Sequence, residues 1–181
     1  MSHPFMTAVA AGLADRGIAT LRYQFPYMER GLKRPDAPAL AHATVRAAVA
    51  EAARLAPGLR LVAGGKSYGG RMTSQAQAVS PLVGVGGLAF LGFALHPAKK
   101  PSDDRARHLF DVRVPMLFLQ GSRDALAELS LLAPLVERLG TAATLKVFDG
   151  ADHSFHVAGR GPHADDAVMG EMLDALTAWI G

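Results

Sequence analysis

Residues 59–79 read LRLVAGGKSYGGRMTSQAQAV, and this stretch constrains the fold more than any other. Leu59, Leu61, Val62 and Ala63 form a short, nearly unbroken apolar run, the pattern of a strand covered on both faces. Gly64 and Gly65 close the run, and Met72, Ala76 and Val79 then recur at helical spacing, so Ser67 falls on a tight strand-to-helix turn. That geometry suits a nucleophile. The backbone at such a turn is strained and crowded, and small residues two places either side, Gly65 and Gly69, satisfy it. The motif is G-x-S-x-G, Gly65-Lys66-Ser67-Tyr68-Gly69. A glycine-rich turn whose serine merely caps the following helix would carry the same letters. A phosphate-binding P-loop does not fit, because its first glycine would fall at Arg60, inside the apolar run.

The remainder of the chain alternates helical and strand-like patterns. Phe5, Val9 and Leu13 predict an opening helix that stops near Gly17, and Ile18 to Phe25 predicts a strand ending at Pro26. A basic, proline-bearing loop runs to about Pro38, and Leu40, Val45, Val49 and Leu55 trace a long helix closed by Pro57-Gly58. Beyond the elbow, the region from Pro81 to Leu95 predicts a buried strand. His96-Pro97 and a polar loop from Ala98 to Arg107 follow, and Val114 to Gln120 predicts another strand. A helix is expected within Ala127 to Leu139 despite Pro134, a last strand over Thr144 to Phe148, and a final helix through Val168, Met172, Leu176 and Trp179. This alternation implies an α/β fold: one mostly parallel sheet with helices on both faces and the chemistry at the strands' carboxyl ends.

Composition narrows the partners. With 181 residues, 50% hydrophobic and 19% charged, the chain is expected to form a single domain over 1–181. It has no cysteine, which rules out disulfides, thiol nucleophiles and cysteine-bound metals and suits the cytoplasm. Its start does not read as a signal peptide, and the least charged stretch, Met72 to Leu95, is too broken by polar residues and glycines to read as a membrane span. The net charge of +3 comes from scattered arginines rather than a basic run with interleaved aromatics, so neither a membrane nor nucleic acid is an expected partner. Nothing calls for a cofactor. A homodimer is kept open.

Three chemistry-bearing residues fall at three predicted strand ends: Ser67 after Leu59–Ala63, Asp124 after Val114–Gln120, and His153 after Thr144–Phe148. A serine hydroxyl needs a base to take its proton, histidine exchanges a proton near neutral pH, and an aspartate holds the imidazole in the required tautomer. His156 and His163 are rivals for the base and Asp152 for the acid. Asp152, His153 and His156 also offer a weak metal-binding alternative, since their H-x-x-H lies on a loop, and no metal site is assigned. The order serine, acid, histidine is that of α/β-hydrolase triads. With HPFM near the start, FPYM after the first strand, GGKSYGGRM, His96-Pro97, LQGSRD and GADHSF, the chain resembles the α/β-hydrolase superfamily over nearly its whole length. The resemblance is to dienelactone-hydrolase-like predicted hydrolases, a group that includes the hydrolase-like subunit of an acetyltransferase complex. It implies a serine hydrolase of a small ester, lactone or thioester, with Ser67, Asp124 and His153 as triad and the Tyr68 backbone amide in the oxyanion hole. Lys66 and His96 are expected near the substrate, as part of a positive entrance with Arg71, Lys99 and Lys100.

The chain departs from this family in two places. Ala125 follows Asp124 where the family commonly has proline. The family also begins with a strand and an H-G-x-G-like loop before the HPFM helix, and Met1 falls where that loop would end. That loop carries the second oxyanion amide, and losing one such donor typically lowers turnover by about 10²- to 10³-fold. A catalytically weak or silent fold serving as a binding or assembly module is therefore the alternative reading. The strand would lie between Ile18–Phe25 and Leu59–Ala63. Without it, those two strands are expected to close up, borrow a strand from a partner, or await upstream residues, and the chain as given is expected to be poorly stable or to associate.

Overall fold

The computed structural model describes residues 3–159 and 161–181. Helix α1 (Pro4–Ala14) opens the chain, followed by the single turn α2 (Pro26–Glu29) and the long α3 (Pro38–Leu55). Each begins with a proline, whose missing N–H would have had no helical partner there. Then come β1 (Leu61–Lys66), α4 (Tyr68–Val79), β2 (Val85–Leu91), a 3₁₀ segment (Asp104–Asp111), β3 (Met116–Gly121), α5 (Leu129–Leu139), β4 (Ala143–Phe148) and α6 (Pro162–Ile180). Pro134 sits inside α5 but is exposed, so the Ser130 carbonyl it leaves without an amide is on the solvent side.

The four strands form one parallel sheet in the order β1-β2-β3-β4. Consecutive parallel strands joined by right-handed crossovers place their connections on one face. There α3, α4, the 3₁₀ segment and α5 bury Val45, Met72, Leu109 and Leu132 against Leu88, Phe90 and Phe118. On the other face α1 and α6 bury Val9, Leu13, Met172 and Leu176 against Ala89, Leu91, Leu117 and Leu119. Strands β2 and β3 are therefore covered on both sides, which explains their unbroken apolar runs. The run predicted as a strand from Pro81 to Leu95 forms the ladder only over Val85–Leu91; Phe93, Ala94 and Leu95 are buried beyond its end.

The predicted strand at Ile18–Phe25 is not a strand. Among the described residues these have no ladder partner, and the outer edge of β1 is likewise unpaired. Between the two lies a cavity of about 660 Å³, walled by Val9 and Leu13 of α1, Val45 and Val49 of α3, and Leu176 and Ile180 of α6. The two segments have not closed up. Ala19, Thr20 and Leu21 are exposed and β1 is partly exposed throughout, so water can reach these unpaired backbone groups and reduce the penalty. The same opening exposes two ends of predicted apolar stripes, Leu55 and Leu59.

Candidate active site

Ser67 joins β1 to α4 with φ 52° and ψ −115°, a left-handed conformation that side chains rarely adopt. A backbone held there costs about 1 to 3 kcal/mol and persists only where its surroundings impose it. Here they do: the Ser67 amide donates to the carbonyls of Leu91 (3.3 Å) and Gly92 (3.1 Å), and its own carbonyl accepts the Arg71 amide (3.2 Å). The serine precedes the first residue of α4 yet makes no side-chain cap bond, so a capping role does not account for it. The crowding differs in one detail from the sequence expectation. A Cβ on Gly70 would stand 2.7 Å from the Gly65 carbonyl oxygen, whereas one on Gly69 would meet only the Phe25 ring at 3.8 Å. The positions with least room are Gly64, where a Cβ would overlap the Ala89 carbonyl oxygen, and Gly70.

Asp124 and His153 meet at the same end of the sheet. His153 Nδ1 lies 2.6 Å from Asp124 Oδ2, with the aspartate side chain fully buried and the imidazole 22% exposed. The other aspartate oxygen accepts the Leu126 amide at 2.7 Å. Gln120, on β3, donates to Asp124 Oδ2 and accepts the Phe93 amide (2.9 Å) through its own Oε1. Gln120 was not recognised from the sequence; its signal was its position four residues before Asp124 within LQGSRD, at the end of an otherwise apolar strand. His153 is placed against the elbow from two sides. Lys66 Nζ donates to the His153 carbonyl at 2.6 Å, and Gly92, at φ 69°, leaves room for the imidazole: a Cβ there would be 3.4 Å from Nδ1. Among the described residues no hydrogen bond joins Ser67 to His153, the looser arrangement common in active sites without substrate.

The remaining sequence candidates divide sharply. Tyr68 is the first residue of α4, so its amide is one of those a helix leaves without a helical partner. Its hydroxyl donates to the Asp36 carbonyl at 3.1 Å, and its ring packs edge-on to Phe25 and Tyr27. Lys66 is mostly buried, its ammonium 4.5 Å from the Phe5 ring centroid and 5.1 Å from that of Phe155. Burial lowers its pKa, opposed by Asp124 and Asp152. His96 is wholly buried; Nδ1 lies 3.0 Å from the Pro97 carbonyl, and Nε2 accepts the Glu128 amide at 3.3 Å. These contacts anchor loops: one of the three Lys66 ammonium donors and both His96 ring nitrogens are used in them.

Two of the three rivals, Asp152 and His156, are committed elsewhere, and His163 is exposed on α6. Asp152 Oδ1 accepts the amides of Ser154 and His156 within its own turn. His156 pairs with Asp165 at 2.7 Å on the surface, and this bond raises the histidine's pKa. His153 and His156 thus hold different carboxylates, and among the described residues no three metal-ligating side chains converge. One unpredicted serine–histidine pair exists. Ser74 Oγ lies 2.7 Å from His108 Nε2, but Ser74 is fully buried inside α4, and its hydroxyl donates to the Arg71 carbonyl. Burial, reinforced by Arg71, pushes His108 down to about 4. Among the described residues no carboxylate hydrogen-bonds to that pair, and the serine is buried away from any reacting group.

A strained serine after the first strand, with a buried aspartate and a histidine after the third and fourth strands of a parallel sheet, defines a class. The chain belongs to the alpha/beta hydrolase domain family, whose pattern matches residues 1–181. Solved structures share the fold. An alpha-beta serine hydrolase homologue from Coxiella burnetii superposes with TM-score 0.77 at 17% identity, covering 97% of this chain and 77% of that one. A Xanthomonas campestris protein described as an a/b serine hydrolase without lid gives 0.74 at 20% identity, with 99% and 75% covered. The dienelactone hydrolase from Anabaena variabilis gives 0.71 at 21%, with 98% and 78% covered. Among the described residues no helix is long and apolar enough to cross a membrane.

Proposed function

We propose that this protein is a serine hydrolase of small esters, lactones or thioesters, with Ser67 as nucleophile, His153 as base and Asp124 as the group that orients the base. The observation that carries the reading is the left-handed Ser67 at the end of β1, beside a buried Asp124–His153 hydrogen bond of 2.6 Å. In the first step Ser67 Oγ bonds to the acyl carbon while its proton passes to His153 Nε2. Asp124, bonded to Nδ1, stabilises the imidazolium. The carbonyl oxygen takes the negative charge and accepts the Tyr68 amide. Collapse expels the alcohol, phenol or thiol, which leaves with the proton from His153. A water, deprotonated by the same histidine, then attacks the acyl-serine, and collapse of the second intermediate releases the acid and restores Ser67. The reaction needs no cofactor. The absence of cysteine is compatible with the reducing cytoplasm.

A fluorophosphonate probe tests the reading directly. Covalent labelling of Ser67 that disappears in Ser67→Ala and His153→Ala is the expected outcome; a native chain that is never labelled excludes the hydrolase. One observation favours a second reading, a silent binding or assembly module: the cavity along β1, lined by Leu61 to Gly65, ends two residues short of Ser67. Such a module binds its partners whether or not the probe reacts and is unaffected by Ser67→Ala.

A further inference from the structure

Arg71 lies one turn into α4, with its amide bonded to the Ser67 carbonyl. Helical side chains lean toward the helix N-terminus, so the Arg71 stem runs back over the turn that carries Ser67 and Tyr68. Its guanidinium carbon is 5.7 Å from the Tyr68 ring centroid. Its Nε is buried and has no hydrogen-bond partner. Burial lowers the pKa of the Arg71 guanidinium, and the like charge of Arg105, from the 3₁₀ segment, lowers it further.

The neighbouring acids are committed elsewhere. Asp103 pairs with Arg138, Asp104 with Arg107, and Asp36 with Arg30 and the Tyr27 amide, while Asp111 acts on His108. Among the described residues no carboxylate pairs with Arg71 or Arg105. A half-buried guanidinium beside a second one, each without a counter-ion, is an unfavourable arrangement until an anion arrives.

Resting on the hydrolase reading, we propose that Arg71, assisted by Arg105, receives the carboxylate of the acyl substrate while its ester or thioester carbonyl lies at Ser67. The substrate is then a half-ester or half-thioester of a dicarboxylic acid. A planar guanidinium fork matches a carboxylate edge to edge. A half-ester of glutaric acid carries the scissile carbonyl and the carboxylate on one short chain and serves as the probe.

The test compares mono-p-nitrophenyl glutarate with p-nitrophenyl valerate at low salt. The wild-type ratio of kcat/KM, charged over neutral ester, is expected to exceed about ten, the size of one charge-assisted hydrogen bond. It should fall about tenfold in Arg71→Gln, recover only in part in Arg71→Lys, and fall less in Arg105→Gln, a half-exposed position that keeps the test valid if Arg71→Gln fails to fold. A wild-type ratio near one, or a ratio that neither Arg71→Gln nor Arg105→Gln moves, overturns the proposal. A second arm needs no turnover: calorimetric binding of glutarate to Ser67→Ala, lost when Arg71→Gln is added. If the fluorophosphonate probe fails yet glutarate binds through Arg71, the hydrolase reading falls and the carboxylate site stands. If the probe labels Ser67 and glutarate does not bind, the site alone falls, as it does if inorganic phosphate binds more tightly than glutarate.

Discussion

Two histidines three residues apart each hold a carboxylate through Nδ1, His153 with Asp124 at 2.6 Å and His156 with Asp165 at 2.7 Å. By bond length they are indistinguishable. They differ in what surrounds them. Asp124 is fully buried, with both oxygens satisfied by Gln120, Leu126 and His153, whereas Asp165 and His156 are 38% and 55% exposed at the start of α6. Water competes for every bond of the surface pair and screens its charges; at the sheet end the same bond holds an imidazole in one tautomer and one orientation. A histidine–aspartate contact is therefore informative about chemistry only when the protein, rather than solvent, decides where the carboxylate points.

The sharpest way to break this comparison is to remove each imidazole in turn. His153→Ala is expected to abolish fluorophosphonate labelling and to lower turnover of an activated ester by about 10⁶-fold, the scale seen when one member of such a unit is lost. His156→Ala should keep both. Labelling that survives His153→Ala and vanishes in His156→Ala would reverse the assignment of the two pairs.

Asp124→Asn probes the carboxylate while preserving its shape. An amide in that place favours the wrong imidazole tautomer, so turnover should drop about 10⁴-fold, while circular dichroism stays native. The matching change, Asp165→Asn, should leave turnover alone.

His108 supplies the contrast of a buried histidine with a serine for a partner. Its pKa of about 4 in the fold is below the ordinary 6.5, so the folded state holds the neutral ring and the unfolded state takes the proton first. Stability from this group is complete above pH 6.5 and is lost as pH falls toward 4, by on the order of 3 kcal/mol. Urea denaturation across that window should show the loss in the native chain and much less of it in His108→Gln. Equal pH dependence in the two would show that His108 is not the group responsible.

The smallest effect belongs to the surface pair. Asp165 raises the pKa of His156, and His156 lowers that of Asp165. The histidine's contribution to stability is thus present below pH 6.5 and fades as pH rises through its higher folded value; the aspartate's is present above its ordinary 3.8 and fades as pH falls. An NMR titration should find His156 above 6.5 in the native chain and moved down in Asp165→Asn. An unchanged midpoint would mean that the pair does not persist in solution.

Much of the site could be read in the chain because it depends on local order. The glycines around Ser67 and the apolar runs before Ser67, Asp124 and His153 placed all three side chains at strand ends before any contact was known. Arg71 was read only as part of a general positive entrance, and Lys66 and His96 as substrate contacts. Whether a cation faces substrate, a ring or a carbonyl depends on segments distant in sequence: Phe5 and Phe155 around Lys66, Glu128 beside His96, Arg105 beside Arg71. Gln120 was missed for the same reason, since its partner Phe93 is on another strand's end.

By itself the sequence determined the alternation of elements, the parallel sheet and the turn at Ser67, because periodicity, glycine and proline act on the backbone within a few residues. Ile18 to Phe25 had every local mark of a strand and is not one. Strand identity is a property of pairing, and among the described residues no strand pairs with this segment across the cavity beside β1. Tertiary structure alone also decided which carboxylate each histidine holds and that, among the described residues, none reaches the half-buried Arg71, since burial and charge balance arise only when remote segments meet.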